Sequence, residues 1–306
     1  MAKSQEVRQA AKATVAEDQL PQRAARCEAT LLGQCTAEVI GTLILVFFGV
    51  GAVNTAVATG AQQGVWQVAV VWGIGIAMAI YTVGAVSGAH LNPAITLAMA
   101  VWRKFPPRKV LPYIIAQLIG AILGSLILYG FFHGMIAHFE AAKGILRGGP
   151  GSELSAMMFG EYFPNPALFG TTPEAYALIS YTAAMLAEGV GTAILACFIF
   201  ALTEVRNSNT PRFLTPLFVG LTVSIIISII APLTQAGLNP ARDFGPRLVS
   251  YFLGWGDIAI PGARGGFFTV YILSPIIGAI FGAGVYQKLV RPHLAGIEVV
   301  LVESEA

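Results

Sequence analysis

The chain has 306 residues; 56% are hydrophobic, 11% are charged, and the formal net charge is +2. Soluble domains carry about 25% charged residues, so this composition excludes an ordinary water-soluble domain and indicates an integral membrane protein with room for about six or seven spans. The small net charge and scattered basic residues exclude a nucleic-acid binder. Cys27, Cys35 and Cys197 make no Cys-x-x-Cys or Cys/His spacing, so no disulfide framework, metal site or cofactor is expected.

Residues 1–30 mix Lys, Arg, Glu and Gln without an apolar core, which reads as a cytoplasmic tail with no cleavable signal peptide. Apolar runs of spanning length follow at about Leu31 to Ala58, Val65 to Val86, Val110 to His133, Tyr176 to Leu202, Phe213 to Ile230 and Phe267 to Leu289, giving six expected spans. The connection from Gly134 to Glu174 is rich in Gly and Pro and carries Phe163-Pro164-Asn165-Pro166, a loop signal. The expected organisation is a channel domain over 31–290, with repeat one at 31–133, an extracellular loop at 134–174, repeat two at 175–290, and a second cytoplasmic tail at 291–306.

Between the second and third spans lies Gly88-Ala89-His90-Leu91-Asn92-Pro93-Ala94, and between the fifth and sixth lies Gly237-Leu238-Asn239-Pro240-Ala241. Asn caps a helix well, and Pro at the first helical position loses no bond there. Each copy is therefore read as a loop turning into a short helix, over Ala94 to Ala100 and Ala241 to Tyr251, too short to span a bilayer. The halves match elsewhere too. Ala37-Glu38-Val39-Ile40-Gly41-Thr42 echoes Ala187-Glu188-Gly189-Val190-Gly191-Thr192, and Gly120-Ala121-Ile122-Leu123-Gly124 echoes Gly278-Ala279-Ile280-Phe281-Gly282. Three spans per half make the second half an inverted repeat of the first. Thirteen of the 18 Lys and Arg residues fall on the side of the termini, which puts both termini in the cytoplasm.

Irregular backbone at membrane depth is tolerated where protein buries it or where it lines a watery path. If the two loops dip in from opposite faces, their half-helices aim positive N-terminal ends at one another and repel cations and protons. Asn92 and Asn239 can then offer N–H donors, while Gly88, Ala89, His90, Gly237 and Leu238 present carbonyl acceptors. Such a lining suits a neutral, hydroxylated or aqueous solute, and no acid is expected in the path itself. Glu38 and Glu188 are either proton or ion sites or braces for the re-entrant loops; their matching repeat positions favour bracing. His90 is read as a loop brace, and the Gly120/Gly124 and Gly278/Gly282 pairs as close helix contacts. The competing classes are a coupled secondary transporter, a membrane enzyme, for which no motif is present, and an adhesive membrane protein.

Paired Asn-Pro-Ala motifs in inverted repeats resemble the aquaporin superfamily, over roughly Leu32 to Leu289. The resemblance implies six tilted helices in a right-handed bundle with two half-helices, all-α, with one pore per subunit and a homotetramer. Asp243 after Arg242, Arg247 after Gly245-Pro246, and Pro275-Ile276 are similar to the glycerol-facilitator branch. Alignment with that family implies a selectivity filter of Trp72, Ile227, Ala236 and Arg242, and structural support from Glu38, Glu188 and Asp243. The first half has Ile95 in place of Arg242, so only the outer mouth is expected to carry the filter. Ala236 and Ile227 stand where the bacterial facilitator has an aromatic and a glycine; the quartet instead resembles plant nodulin-type intrinsic proteins. The implied activity is passive conduction of glycerol, water and other small neutral solutes, urea or metalloid hydroxides among them, in the plasma (inner) membrane, with no catalysis. A mainly water- or metalloid-conducting channel is the alternative.

Overall fold

The computed structural model describes residues 29–207, 209–210 and 212–294; the tails expected at 1–28 and 295–306 lie outside them. Six of the described helices are long and apolar enough to cross a membrane: α1 (Leu31–Thr59), α2 (Val65–Ser87), α4 (Pro107–Lys143), α5 (Tyr181–Leu202), α6 (Arg212–Thr234) and α8 (Phe267–His293). Two short helices, α3 (Pro93–Trp102) and α7 (Pro240–Ser250), stand between α2 and α4 and between α6 and α8. The expected all-helical architecture of six spans and two half-helices is borne out.

Local chemistry sets where α3 and α7 begin. Asn92 is extended (φ −155°, ψ 121°) and its Oδ1 accepts from Ala94 N at 2.8 Å. Asn239 is likewise extended (φ −144°, ψ 108°), and its Oδ1 accepts from Ala241 N (3.0 Å) and Arg242 N (3.2 Å). Each side chain satisfies amides that an α-helix cannot satisfy itself, and Pro93 and Pro240 occupy the position where a missing N–H loses nothing.

Two boundaries differ from the sequence reading. The third span does not end at His133, because α4 continues to Lys143. Gly134 is an ordinary helical residue there, with open space beside it, while Ile136 is fully buried and Glu140 is held by Arg147 (2.8 Å). The helix stops at Gly144, whose φ of 64° supplies the left-handed C-cap that glycine adopts without steric cost. At 37 residues and about 1.5 Å per residue, α4 is about 55 Å long and projects beyond a hydrocarbon core of about 30 Å. The fourth span begins at Tyr181, not Tyr176, because residues Pro173–Leu178 form a separate turn and Ser180 Oγ caps α5 through Ala183 N (3.1 Å).

Close helix crossings lock the bundle. A Cβ on Gly120 of α4 would strike the Val39 carbonyl of α1, and one on Gly278 or Gly282 of α8 would strike the Gly189 or Ala193 carbonyl of α5. Small residues at such crossings let backbones approach and gain dispersion contact. We therefore expect Gly278→Val to lower the thermal midpoint in detergent, by the overpacking cost of about 1–3 kcal/mol or more. Gly134→Ala, where nothing is touched, should raise it slightly, since glycine costs a helix about 0.5–1 kcal/mol. Equal effects of the two would contradict the assigned crossings.

Candidate functional site

The two loops that lead into α3 and α7 have the same backbone course. Gly88, Ala89 and Leu91 have φ of 85°, 50° and 53°, and the corresponding Gln235, Ala236 and Leu238 have 64°, 63° and 55°. Five of these six are not glycine, and each left-handed residue costs about 1–2 kcal/mol, so something must hold them.

The holding groups are the two buried glutamates. Glu38 Oε1 accepts from His90 N (2.9 Å) and from Ser87 Oγ (2.6 Å), and its Oε2 accepts from Leu91 N (2.7 Å). Glu188 repeats the pattern: Oε1 accepts from Gly237 N (2.9 Å) and Thr234 Oγ1 (2.6 Å), and Oε2 from Leu238 N (2.7 Å). Both glutamates have 0% exposure, so these bonds are made without competition from water. Tyr113 and Tyr271 close the same arrangement by donating to the carbonyls of Ser87 (2.9 Å) and Thr234 (3.1 Å). The halves differ at one point: Gln117 adds a bond to Glu38 Oε2 (2.8 Å), whereas Pro275 takes the corresponding place in α8 and can donate nothing.

The loops meet each other through their asparagines. Asn92 Nδ2 donates to the Leu238 carbonyl (3.0 Å) and Asn239 Nδ2 to the Leu91 carbonyl (2.7 Å). Each amide spends one N–H on the opposite loop, so at most one N–H of each amide is left for a solute. Likewise the Leu238 carbonyl has one of its two acceptor positions occupied by Asn92. His90 lies against Phe105 and Tyr113 (ring centroids 4.6 and 5.2 Å) and its Nδ1 bonds Thr96 Oγ1 (3.2 Å).

One cavity, of about 120 Å³, runs from Met99, Ile199, Thr203 and Thr215 past both loops to Trp72, Ile227, Ala236 and Arg242. Gly88, Ala89, His90, Asn92, Gly237, Leu238 and Asn239 all line it. A wider cavity of about 410 Å³ lies beyond, lined in part by Gln62, Lys143, Asn165 and Gln235. Trp72, Ile227 and Arg242 border both cavities, so the two spaces meet at these three side chains. Arg242 stacks on the Trp72 ring, 4.4 Å from its centroid.

No residue of the 134–174 connection has a role in the sequence reading, yet an acid from it reaches the junction, beside the narrow cavity and not among the residues that line it. Glu161 is 1% exposed, lines the wider cavity, and forms an ion pair with Arg242 Nη2. Its N–H donates to Asp243 Oδ1 (2.8 Å), and its carbonyl accepts from Arg247, which pairs with Asp243 Oδ2 (2.7 Å). Asp243 therefore ties the long connection down over α7. Also missed were Ser87 and Thr234, each five residues before a motif asparagine, a correspondence that aligning the repeats reveals.

The fold and this site together define an integral, multi-pass membrane protein built as an inverted repeat, with a narrow cavity running between its two half-helices. The chain belongs to the major intrinsic protein family, whose model matches residues 26–286. It is 42% identical to the glycerol uptake facilitator protein of Escherichia coli K12, over 90% of this chain and 94% of that protein. It is 43% identical to the Pseudomonas aeruginosa protein described in the same words (87% and 91%), and 40% identical to a propanediol uptake facilitator of Citrobacter freundii (90% and 99%). Among solved structures it resembles the X-ray structure of the aquaglyceroporin from Plasmodium falciparum, with a TM-score of 0.73 and 26% identity, over 86% of this chain and 98% of that one.

Replacing Glu188 with alanine should leave the Gly237 and Leu238 amides buried without acceptors. At about 1–3 kcal/mol each, the expected loss is about 2–6 kcal/mol of unfolding free energy in detergent. Glu188→Gln, which keeps one acceptor oxygen, should lose less. An unchanged stability for Glu188→Ala would contradict the bracing geometry.

Proposed function

We propose that this chain is a passive transmembrane channel for glycerol and other small uncharged solutes, that it also passes water, and that it excludes ions and protons. The observation that carries the reading is the narrow cavity running past both re-entrant loops, with the N-termini of α3 and α7 directed at its middle. Two opposed helix N-termini concentrate positive potential there, and Arg242 adds a guanidinium at one end. The names of the relatives, glycerol and propanediol uptake facilitators, favour a polyol as the solute.

In this reading Asn92-Pro93-Ala94 and Asn239-Pro240-Ala241 form the pore centre, Trp72, Ile227, Ala236 and Arg242 the selectivity filter, and the carbonyls of Gly88, Ala89, His90, Gly237 and Leu238 the acceptor track. Trp72 and Ile227 face the carbon side of a polyol while Arg242 serves its hydroxyls. The channel domain spans 31–290 in a plasma (inner) membrane, with both termini cytoplasmic from the excess of Lys and Arg on their side. It works as a homotetramer with one pore in each subunit.

Stopped-flow light scattering on proteoliposomes, with water, glycerol, urea and boric acid as solutes, tests the reading. Glycerol should equilibrate down its own gradient and never accumulate against it when a proton or sodium gradient is imposed. Uphill accumulation would assign a coupled transporter instead, and boric acid flux with no glycerol flux would assign a metalloid channel.

Two substitutions probe the parts. Asn92→Asp or Asn239→Asp places a negative acceptor where the two dipoles converge and should admit cations, seen as a proton or sodium leak; proton-tight variants that still conduct glycerol would move the pore centre elsewhere. Ala236→Phe should reduce glycerol flux more than water flux, because it narrows the space bordered by Trp72 and Ile227. Equal loss of both fluxes, or none, would remove Ala236 from the constriction.

A further inference from the structure

Among the described residues, three polar groups at the junction of the two cavities are buried without a hydrogen-bond partner: Arg242 Nη1 and the two carboxylate oxygens of Glu161. The carboxylate meets Arg242 only as an ion pair, through Nη2. Buried polar groups are nearly always satisfied, so an orphaned donor beside a solute path points to a partner that the chain itself does not supply.

The backbone around Glu161 is fixed independently of its side chain, by Asp243 on the N–H (2.8 Å) and Arg247 on the carbonyl. The carboxylate is therefore delivered to one place, against Nη2 of the guanidinium. The Trp72 ring covers the face of the same group at 4.4 Å. A planar fork held by a carboxylate at one nitrogen and by a ring across its face has little freedom to rotate.

We propose that Glu161 is a specificity-determining positioning residue of the outer mouth, which holds Arg242 through Nη2 so that Nη1 is presented to the hydroxyl oxygens of a passing polyol. This rests on the channel reading above and deepens it. A polyol must align hydroxyls along one edge and carbons along the other, so its passage depends on where the fixed donor points. Water carries no such edge, and it depends less on the orientation of one N–H. In the first half Ile95 stands where Arg242 stands in the second, so the inner end offers no substitute for this donor.

The carboxyl supplies its own handle. Burial pushes Glu161 above the usual carboxylate range, and the strongest opposing influence is Arg242 in contact with it. The other groups facing it are Asp243 and Arg247 of α7, Glu188 of α5, Tyr271 of α8 and the adjacent Tyr162. A raised carboxyl is charged on the alkaline side of its pKa and neutral on the acid side. Its grip on Arg242 is thus complete at alkaline pH and lost as pH falls.

The test uses the full chain in proteoliposomes, with glycerol and water permeability measured by stopped flow across a pH series for the parent, Glu161→Gln and Glu161→Asp. In the parent the glycerol-to-water ratio should fall on acidification. In Glu161→Gln it should be several-fold lower at alkaline pH and flat with pH, and Glu161→Asp should restore both the ratio and its pH dependence. A parent that passes glycerol with a Glu161→Gln variant matching it in ratio and pH profile would overturn the role of Glu161 alone. A parent that passes no glycerol at all would bring down the channel reading and this inference with it.

Discussion

Two carboxylates buried at equivalent places in the repeats hold the irregular backbone on which the site depends. Glu38 and Glu188 each accept two backbone N–H groups and one hydroxyl from the loop beside them. These bonds satisfy amides that the left-handed turns would otherwise leave bare. Without them neither loop has reason to keep Ala89, Leu91, Ala236 and Leu238 at positive φ. With them, the amides turn toward the glutamates, and the loops and their half-helices meet at the line where Asn92 and Asn239 cross-bond.

That arrangement explains the narrowness of the inner cavity and the asymmetry of its two ends. The asparagines bind the opposite loop as well as their own helices, so the centre is a fixed joint between the repeats and not a pair of independent caps. Three departures from the repeat bear on this asymmetry. Arg242 replaces Ile95, Asp243 replaces Thr96, and Pro275 replaces Gln117. Asp243 binds the connection between the halves, and Arg242 receives the one carboxylate that this connection contributes to the mouth. The end of the narrow cavity at Arg242 thereby takes in the connection as well as the repeats.

Much of this was legible in the sequence because the decisive signals are local. Asn followed by Pro fixes a helix start through a cap and a missing donor, both within three residues, and its recurrence exposed the repeat. The glutamates could be aligned but not connected, since nothing local says which amides a buried carboxylate will reach. The end of α4 was misread because Gly134 and Gly144 look alike in a sequence; one is an ordinary helical residue, and only the other has a left-handed φ. Glu161 was invisible for a stronger reason. Its importance comes from a contact between a Gly- and Pro-rich connection and a half-helix much later in the chain, and no periodicity or motif reports that.

Hydrogen exchange of the loop amides in detergent or nanodiscs tests the central interaction most directly. If the glutamates hold the loops, the amides of His90, Leu91, Gly237 and Leu238 should exchange only with opening of the whole bundle, as slowly as buried helical amides. Exchange of these four as fast as the exposed turn between α1 and α2 would contradict the account, because the strained backbone would then be standing without the carboxylates that are said to hold it.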